Sequence, residues 1–442
     1  MNPDRRLFIF GMFAFLFLSL IGFAYVGLIG YPFTRTAIAA NPVTLPPAVT
    51  PTVRPSRTPG PTSTPSLTPT PTATRTQTLT PSPTATFILA FDLPANYGPS
   101  YYPPGVNPLT GLYVSDPALL ARRPMAIKIT NFPRRVRPQN GLNLADLVFE
   151  YYIESGLTRF ITVFYGNDAD LVGPVRSGRF FDEHIVRMYN AIFVFASADR
   201  RVLDTWLESD LLPRLVIPRS GNCPPLCRDE ANPDYNNLYA NTAALGPYVI
   251  GRGGDNNQYD LSGMRFQSIV PWGGELGMDV FVRYSRSDYN HWQYNAGTGL
   301  YERYQETEDD NGQGESYALL YDGLTGEPVH AANVVVLMAP HQEYLNSIDT
   351  EIVQIDLTGF GTAYVFRDGR AYPATWIRSA VDQPLVLLRS EESSTAFPLK
   401  PGNTFFQIIS TGSEVIQESS SWRFLFKQPA PFPTEIPEEE ED

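Results

Sequence analysis

A chain of 442 residues with a formal net charge of −13 and only two cysteines has room for more than one folded body, and it excludes a disulfide-dense miniature scaffold. The acidity also argues against nucleic acid as a partner, and no recognition module for it is present. Four histidines, His184, His291, His330 and His341, stand without metal-ligand spacing, so no metal site and no cofactor is expected.

In chain order, residues 7–33 carry no charge over 27 positions, and at about 1.5 Å per residue such a helix crosses a hydrocarbon core of about 30 Å. Arg5 and Arg6 precede it, and since the neighbouring Asp4 counts little in the positive-inside bias, the N-terminus is expected inside and the rest of the chain outside. Residues 1–40 thus read as a signal anchor in the cell membrane. The competing reading is a cleaved signal peptide, with a small-x-small site at Ala37-Ile38-Ala39. Residues 41–93 are a Pro/Thr/Ser stretch with few large apolar side chains, expected as a disordered, extended stalk. Residues 429–442 form an acidic, proline-broken tail.

The globular part divides by character near Pro271. From 94 to 270, MAIKIT (125–130), DLVFEYYI (146–153), FITVFY (160–165) and AIFVFA (191–196) read as strands, while 180–190 and 200–212 read as helices, with Ser177 available to cap the first. From 271 to 428, DVFVRY, HWQYNAGTGLYERYQ, NVVVLMA, EIVQIDL and AYVFRDGRAYPATW read as strands joined in hairpins. The expected fold class is α+β: a mixed α/β N-terminal domain followed by a β-rich, mostly antiparallel C-terminal domain.

The runs NPLTGL (107–112), RPMAIKITN (123–131), RPQNGLNLADLVFEYYIESGLTRF (137–160) and GPVRSGR (173–179), with DGRAYPATWIR and PLKPGNTFFQII further on, resemble the YerB-like bacterial lipoproteins, a family of unknown function. The resemblance spans residues 105–412 and implies an exported, envelope-attached protein of two domains without an established activity. The chain lacks the N-terminal lipobox cysteine of a lipoprotein, so attachment would rest on the apolar segment.

GPVRSGRF (173–180) has both glycines of a nucleotide-binding P-loop but Arg179 and Phe180 where that loop needs Lys and Ser/Thr, so the chemistry of a P-loop is missing. Arg176 and Arg179 remain, at the mouth of a helix whose dipole favours negative charge. Between Pro117 and Ala145 lie six basic residues and no acid. With Arg137 and Arg159, these arginines are the expected donors to an anionic cell-envelope polymer or fragment, since guanidinium forks suit carboxylates and phosphates. Glu150 and Glu154 are expected to orient them. On one strand face the two glutamates would stand about 13 Å apart, too far to act as a glycosidase pair.

A glycan hydrolase or transferase using one of these glutamates as general acid or base is the alternative, and a structural partner-binding protein the second. Cys223 and Cys227 in CPPLC are expected to form a disulfide. The aromatic run YNHWQYN (289–295), with Tyr301 and Tyr304, reads either as cross-strand packing or as a sugar-stacking platform.

Overall fold

The structure, a computed structural model, describes residues 94–429 apart from 220–221, 348–349 and 390–391. The apolar segment at 7–33, the Pro/Thr stretch and the acidic residues beyond Pro429 lie outside the described residues, and so do the anchor, stalk and tail expected there. Among the described residues no helix is long and apolar enough to cross a membrane.

Strand-forming runs without polar alternation call for cover on both faces. β1 (Met125–Thr130), β2 (Leu147–Tyr152) and β3 (Thr158–Phe164) are such runs, and every residue in them is buried. They are followed by α1 (Phe180–Met188), β4 (Ile192–Val194), α2 (Arg200–Leu207), β5 (Leu215–Val216) and α3 (Thr242–Gly251). The later half supplies β6 (Asp279–Arg283), β7 (Tyr289–Asn295), β8 (Leu300–Glu306), β9 (Asn333–Ala339), β10 (Gly359–Arg367), β11 (Arg370–Arg378) and β12 (Val386–Arg389). It closes with β13 (Glu392–Ala396), β14 (Thr404–Ser410), β15 (Glu414–Glu418) and β16 (Ser421–Leu425).

One 12-stranded sheet runs through both halves, in the order β13-β12-β11-β10-β9-β14-β2-β3-β1-β4-β5 with a short strand off the path. Its join is β14, which lies parallel to β9 on one side and to β2 on the other. A second, seven-stranded sheet is built around β8-β7-β6-β16-β15.

The layers follow from side-chain alternation along β2 and β14. Phe149 and Tyr151 point to the helices, meeting Tyr189 and Phe181, while Glu150 points to the second sheet. On β14, Phe406 stacks on Phe149 and Phe405 meets Trp292 of β7. Helices thus cover one face of the long sheet and the second sheet covers the other. Trp206 of α2, edge-on to Phe193 and Phe195, is fully buried, and each such aromatic contributes about 1.5–3 kcal/mol of burial free energy.

The expected α+β class holds only in part, because the fold is mostly strand. Among the described residues the first half contributes three α-helices, of nine, eight and ten residues, and its strands complete a sheet that belongs equally to the second half. The second half is mostly antiparallel, with β9–β14 and β6–β16 as parallel exceptions. Ser177 does not cap α1. The N-cap is Arg179, whose N–H donates to the Asp182 carboxylate at 2.8 Å, and the Ser177 hydroxyl lies 2.8 Å from that of Ser197.

Candidate functional site

β1 and β4 are parallel, and the chain from Gly173 to Arg179 crosses their C-terminal ends, the end of an open sheet where ligands are usually received. Val175 bridges to Ile129, the Arg176 N–H donates to the Lys128 carbonyl at 2.9 Å, and the Arg176 carbonyl accepts from Ala196 N–H at 2.9 Å. Gly178 N–H then donates to the Ser197 carbonyl at 2.7 Å, and α1 starts two residues on. An ideal Cβ on Gly178 would come within 2.7 Å of Trp206. The second glycine of the P-loop look-alike is therefore a packing requirement.

Around this crossing stand Lys128, Arg159, Arg176 and Arg179, with Glu154 and Asp182 as counter-charges. Arg179 grips Glu154 through both Nε, at 2.6 Å, and Nη2. Arg159 reaches the same carboxylate at 3.4 Å and donates to the Ser177 carbonyl at 2.7 Å. Lys128 is wholly buried between the Tyr151 hydroxyl and Asp182, 3.1 Å from the carboxylate. Arg176 differs from these. Its guanidinium lies 4.8 Å over the exposed Tyr235 ring, and among the described residues it has no carboxylate partner.

The surplus of positive charge is felt in the titration of the group. Burial brings the Lys128 ammonium down to about 7, Asp182 opposing and Arg159 and Arg179 adding to the fall. Burial lowers Arg159 well below the ordinary guanidinium value, and Arg179 lowers it further. Burial alone would raise Glu154, but Arg179 and then Arg159 outweigh it and hold the carboxyl below its usual value. Such a group can accept an anion. Its one group titrating near neutral pH, Lys128, is wholly buried behind Tyr151 and Asp182.

Two of the expected site residues stand elsewhere. Glu150 is fully buried on the opposite face of β2, in a bidentate pair with Arg303 at 2.8 and 3.0 Å, and it also accepts from Thr158 at 2.8 Å. Arg137 pairs with Glu306 at 2.6 Å and with the Glu306 carbonyl at 2.8 Å, beside Arg134 and Asp309. Glu150 and Glu154 part because β2 ends at Tyr152. The turn that follows, with Ser155 and Gly156 at positive φ, swings Glu154 round to the arginines, so strand alternation no longer places it.

Glu150, Asp288 and Glu306 form a buried carboxylate group between the sheets, and burial, then Glu306 and Glu150, push Asp288 well above the usual range. Arg303 had a legible signal, since it shares the inward phase of β8 with Tyr301 and Gln305. Tyr235 had none, lying in a loop without periodicity.

Clefts of about 380 to 560 Å³ lie away from this cluster. One of about 380 Å³ is lined by Arg134, Arg137, Glu306 and Tyr321, and one of about 560 Å³ by Phe180, His184 and Asp356. His184 accepts from Arg378 at 2.9 Å, and burial, then Arg378, brings it down to about 4. Burial likewise brings His341 down to about 4. Among the described residues no group of three or more His, Cys, Asp or Glu could hold a metal ion. Cys223 and Cys227 are joined as a disulfide. In the aromatic run, Trp292, Tyr289 and Tyr301 are buried, while Phe281 and His291 stack on one another at 4.1 Å and spend their ring faces there.

Comparison with known proteins places the chain in a family. The N-terminal domain described as a protein of unknown function, DUF3048, matches residues 109–254, and the C-terminal domain of the same family matches residues 280–406. YerB of Bacillus subtilis (strain 168), whose name classes it provisionally as a lipoprotein, is 26% identical over 307 residues, covering 68% of this chain and 85% of YerB. The crystal structure of Bacillus subtilis YerB superposes with a TM-score of 0.56 at 23% identity, over 69% of this chain and 96% of that one, a likeness of fold. With both characteristic domains in order and the fold shared, the chain belongs to the DUF3048 family, as a YerB-like protein.

Proposed function

We propose that this chain is an envelope-attached protein that holds an anionic cell-envelope ligand at the cationic crossing formed by Arg159, Arg176 and Arg179. The observation that carries the reading is the Arg176 guanidinium, which lies on Tyr235 without a carboxylate partner among the described residues, in a cluster where cations outnumber carboxylates. A guanidinium stacked on an aromatic ring keeps its N–H edge for a phosphate or carboxylate. Glu154 serves as the clamp that keeps Arg159 and Arg179 in place. Arg137 and Glu150, bound up in the inter-sheet network, support the fold.

Location outside the cell is supported by the apolar segment read in the sequence, by the kinship with YerB and by the Cys223–Cys227 disulfide, a bond that persists in oxidising compartments. A hydrolytic role for the two glutamates gains no support from their surroundings: Glu154 is held ionised by two guanidinium groups and Glu150 is sealed from solvent.

The test is titration calorimetry of the full chain with poly(glycerol phosphate) and with polygalacturonate. Binding is expected to weaken at least tenfold in Arg176→Ala and to fall as salt rises. Affinity unchanged by Arg176→Ala removes the site. No binding of either polymer, with a protein partner captured instead, favours the structural reading.

A further inference from the structure

The described chain ends against Tyr152, two residues before Glu154. After β16, Phe426 stacks on Tyr152 at 5.0 Å, and the Gln428 amide donates to the Tyr152 hydroxyl at 2.9 Å. The same hydroxyl accepts from Gly156 N–H at 3.2 Å, so Gln428 is fastened to the turn that carries Glu154, the shared partner of Arg159 and Arg179. Beyond Pro429 the sequence reads APFPTEIPEEEED, with Glu435, Glu438, Glu439, Glu440, Glu441 and Asp442 and not one basic residue. Thirteen residues at up to about 3.3 Å each reach on the order of 40 Å.

We propose that the acidic segment Glu435–Asp442 docks on the cationic crossing at Arg159, Arg176 and Arg179 and competes there with the external anion, as a built-in occupant. This rests on the anion-binding reading for its regulatory meaning. Charge complementarity and the exit point choose the occupant. Glu351, whose carboxylate shares the Tyr152 hydroxyl with Gln428, is already taken up by that hydroxyl at 2.7 Å and by Ser155 N–H at 2.7 Å. A short tether confers an effective concentration of about 1 mM, so a segment with an intrinsic Kd of about 100 μM would weaken a competing anion about tenfold.

The experiment titrates sodium tripolyphosphate into the full chain and into a chain ending at Pro429, both in a zwitterionic detergent, at 50 mM and 500 mM NaCl. It also titrates a synthetic peptide of residues 431–442 into the shorter chain, with and without Arg176→Ala. The shorter chain is expected to bind tripolyphosphate about tenfold more tightly at low salt, with the gap closing at high salt, and the peptide is expected to bind in an Arg176-dependent manner. Equal affinities of the two chains for tripolyphosphate, with no peptide binding, overturn the proposal and leave the anion site standing. Peptide binding without tripolyphosphate binding keeps the docking and discards the external ligand. Failure of both probes discards both.

Discussion

Replacing Arg303 by methionine tests the inter-sheet network. Both Arg303 and its partner Glu150 are wholly buried, and the pair joins β8 of the second sheet to β2 of the long one. Methionine retains an apolar stem among Phe160, Trp292 and Phe405, whose rings lie 5.0 to 5.3 Å from the guanidinium, so the packing loss is small. The loss comes from Glu150, left without its cation beside Asp288. Removing one member of a buried ion pair costs about 3–5 kcal/mol. At about 2 °C per kcal/mol for a body of this size, scanning calorimetry of Arg303→Met should show a Tm lower by about 6–10 °C. Adding Glu150→Gln takes away the stranded charge and leaves an amide able to use Thr158 and Asn131, so the double variant should regain about half of the loss. A single-variant cost under about 1 kcal/mol, or a double variant no better than the single, would refute the idea that a stranded charge governs the effect.

Two further outcomes follow from the helix face. Lys128 titrates near 7 when folded against an ordinary 10.5. Between those values the unfolded chain binds more protons, so this residue makes stability rise with pH from about 7 towards 10.5. In Lys128→Met that rise should vanish, as measured by Tm at pH 6, 8 and 9.5, and an unchanged slope would show that the lysine is not the source. Gly178→Ala forces a methyl group against Trp206 and should cost about 1–3 kcal/mol in urea unfolding. It should also weaken polyanion binding by displacing Arg176, and a neutral result on both counts would contradict the packing role.

Local elements were readable because their patterns are local. MAIKIT becomes a strand over its whole length, as does NVVVLMA, and the first helix begins at Phe180 as its apolar spacing predicts. The helix at Thr242–Gly251 escaped notice because Pro247 lies within it. The joining of both halves in one sheet was invisible for another reason: the parallel neighbours β2 and β14 are separated by about 250 residues, and pairing at that range leaves no mark on either segment. At the candidate site, Arg159 and Arg179 share Glu154, with Arg176 near enough to Arg159 to depress its guanidinium. Arg137 and Glu150 were misplaced because charge type carries no information about which face of a strand, or which sheet, will claim it.

The position of β14 governs how the chain can be made. A ribosome delivers the first half long before residues 404–410 exist, and until they arrive β2 presents an open hydrogen-bonding edge whose residues are destined for full burial. The nascent protein must therefore carry that edge unfilled until the far end of the second half is made. Truncation anywhere before Thr404 removes the strand that fills that edge.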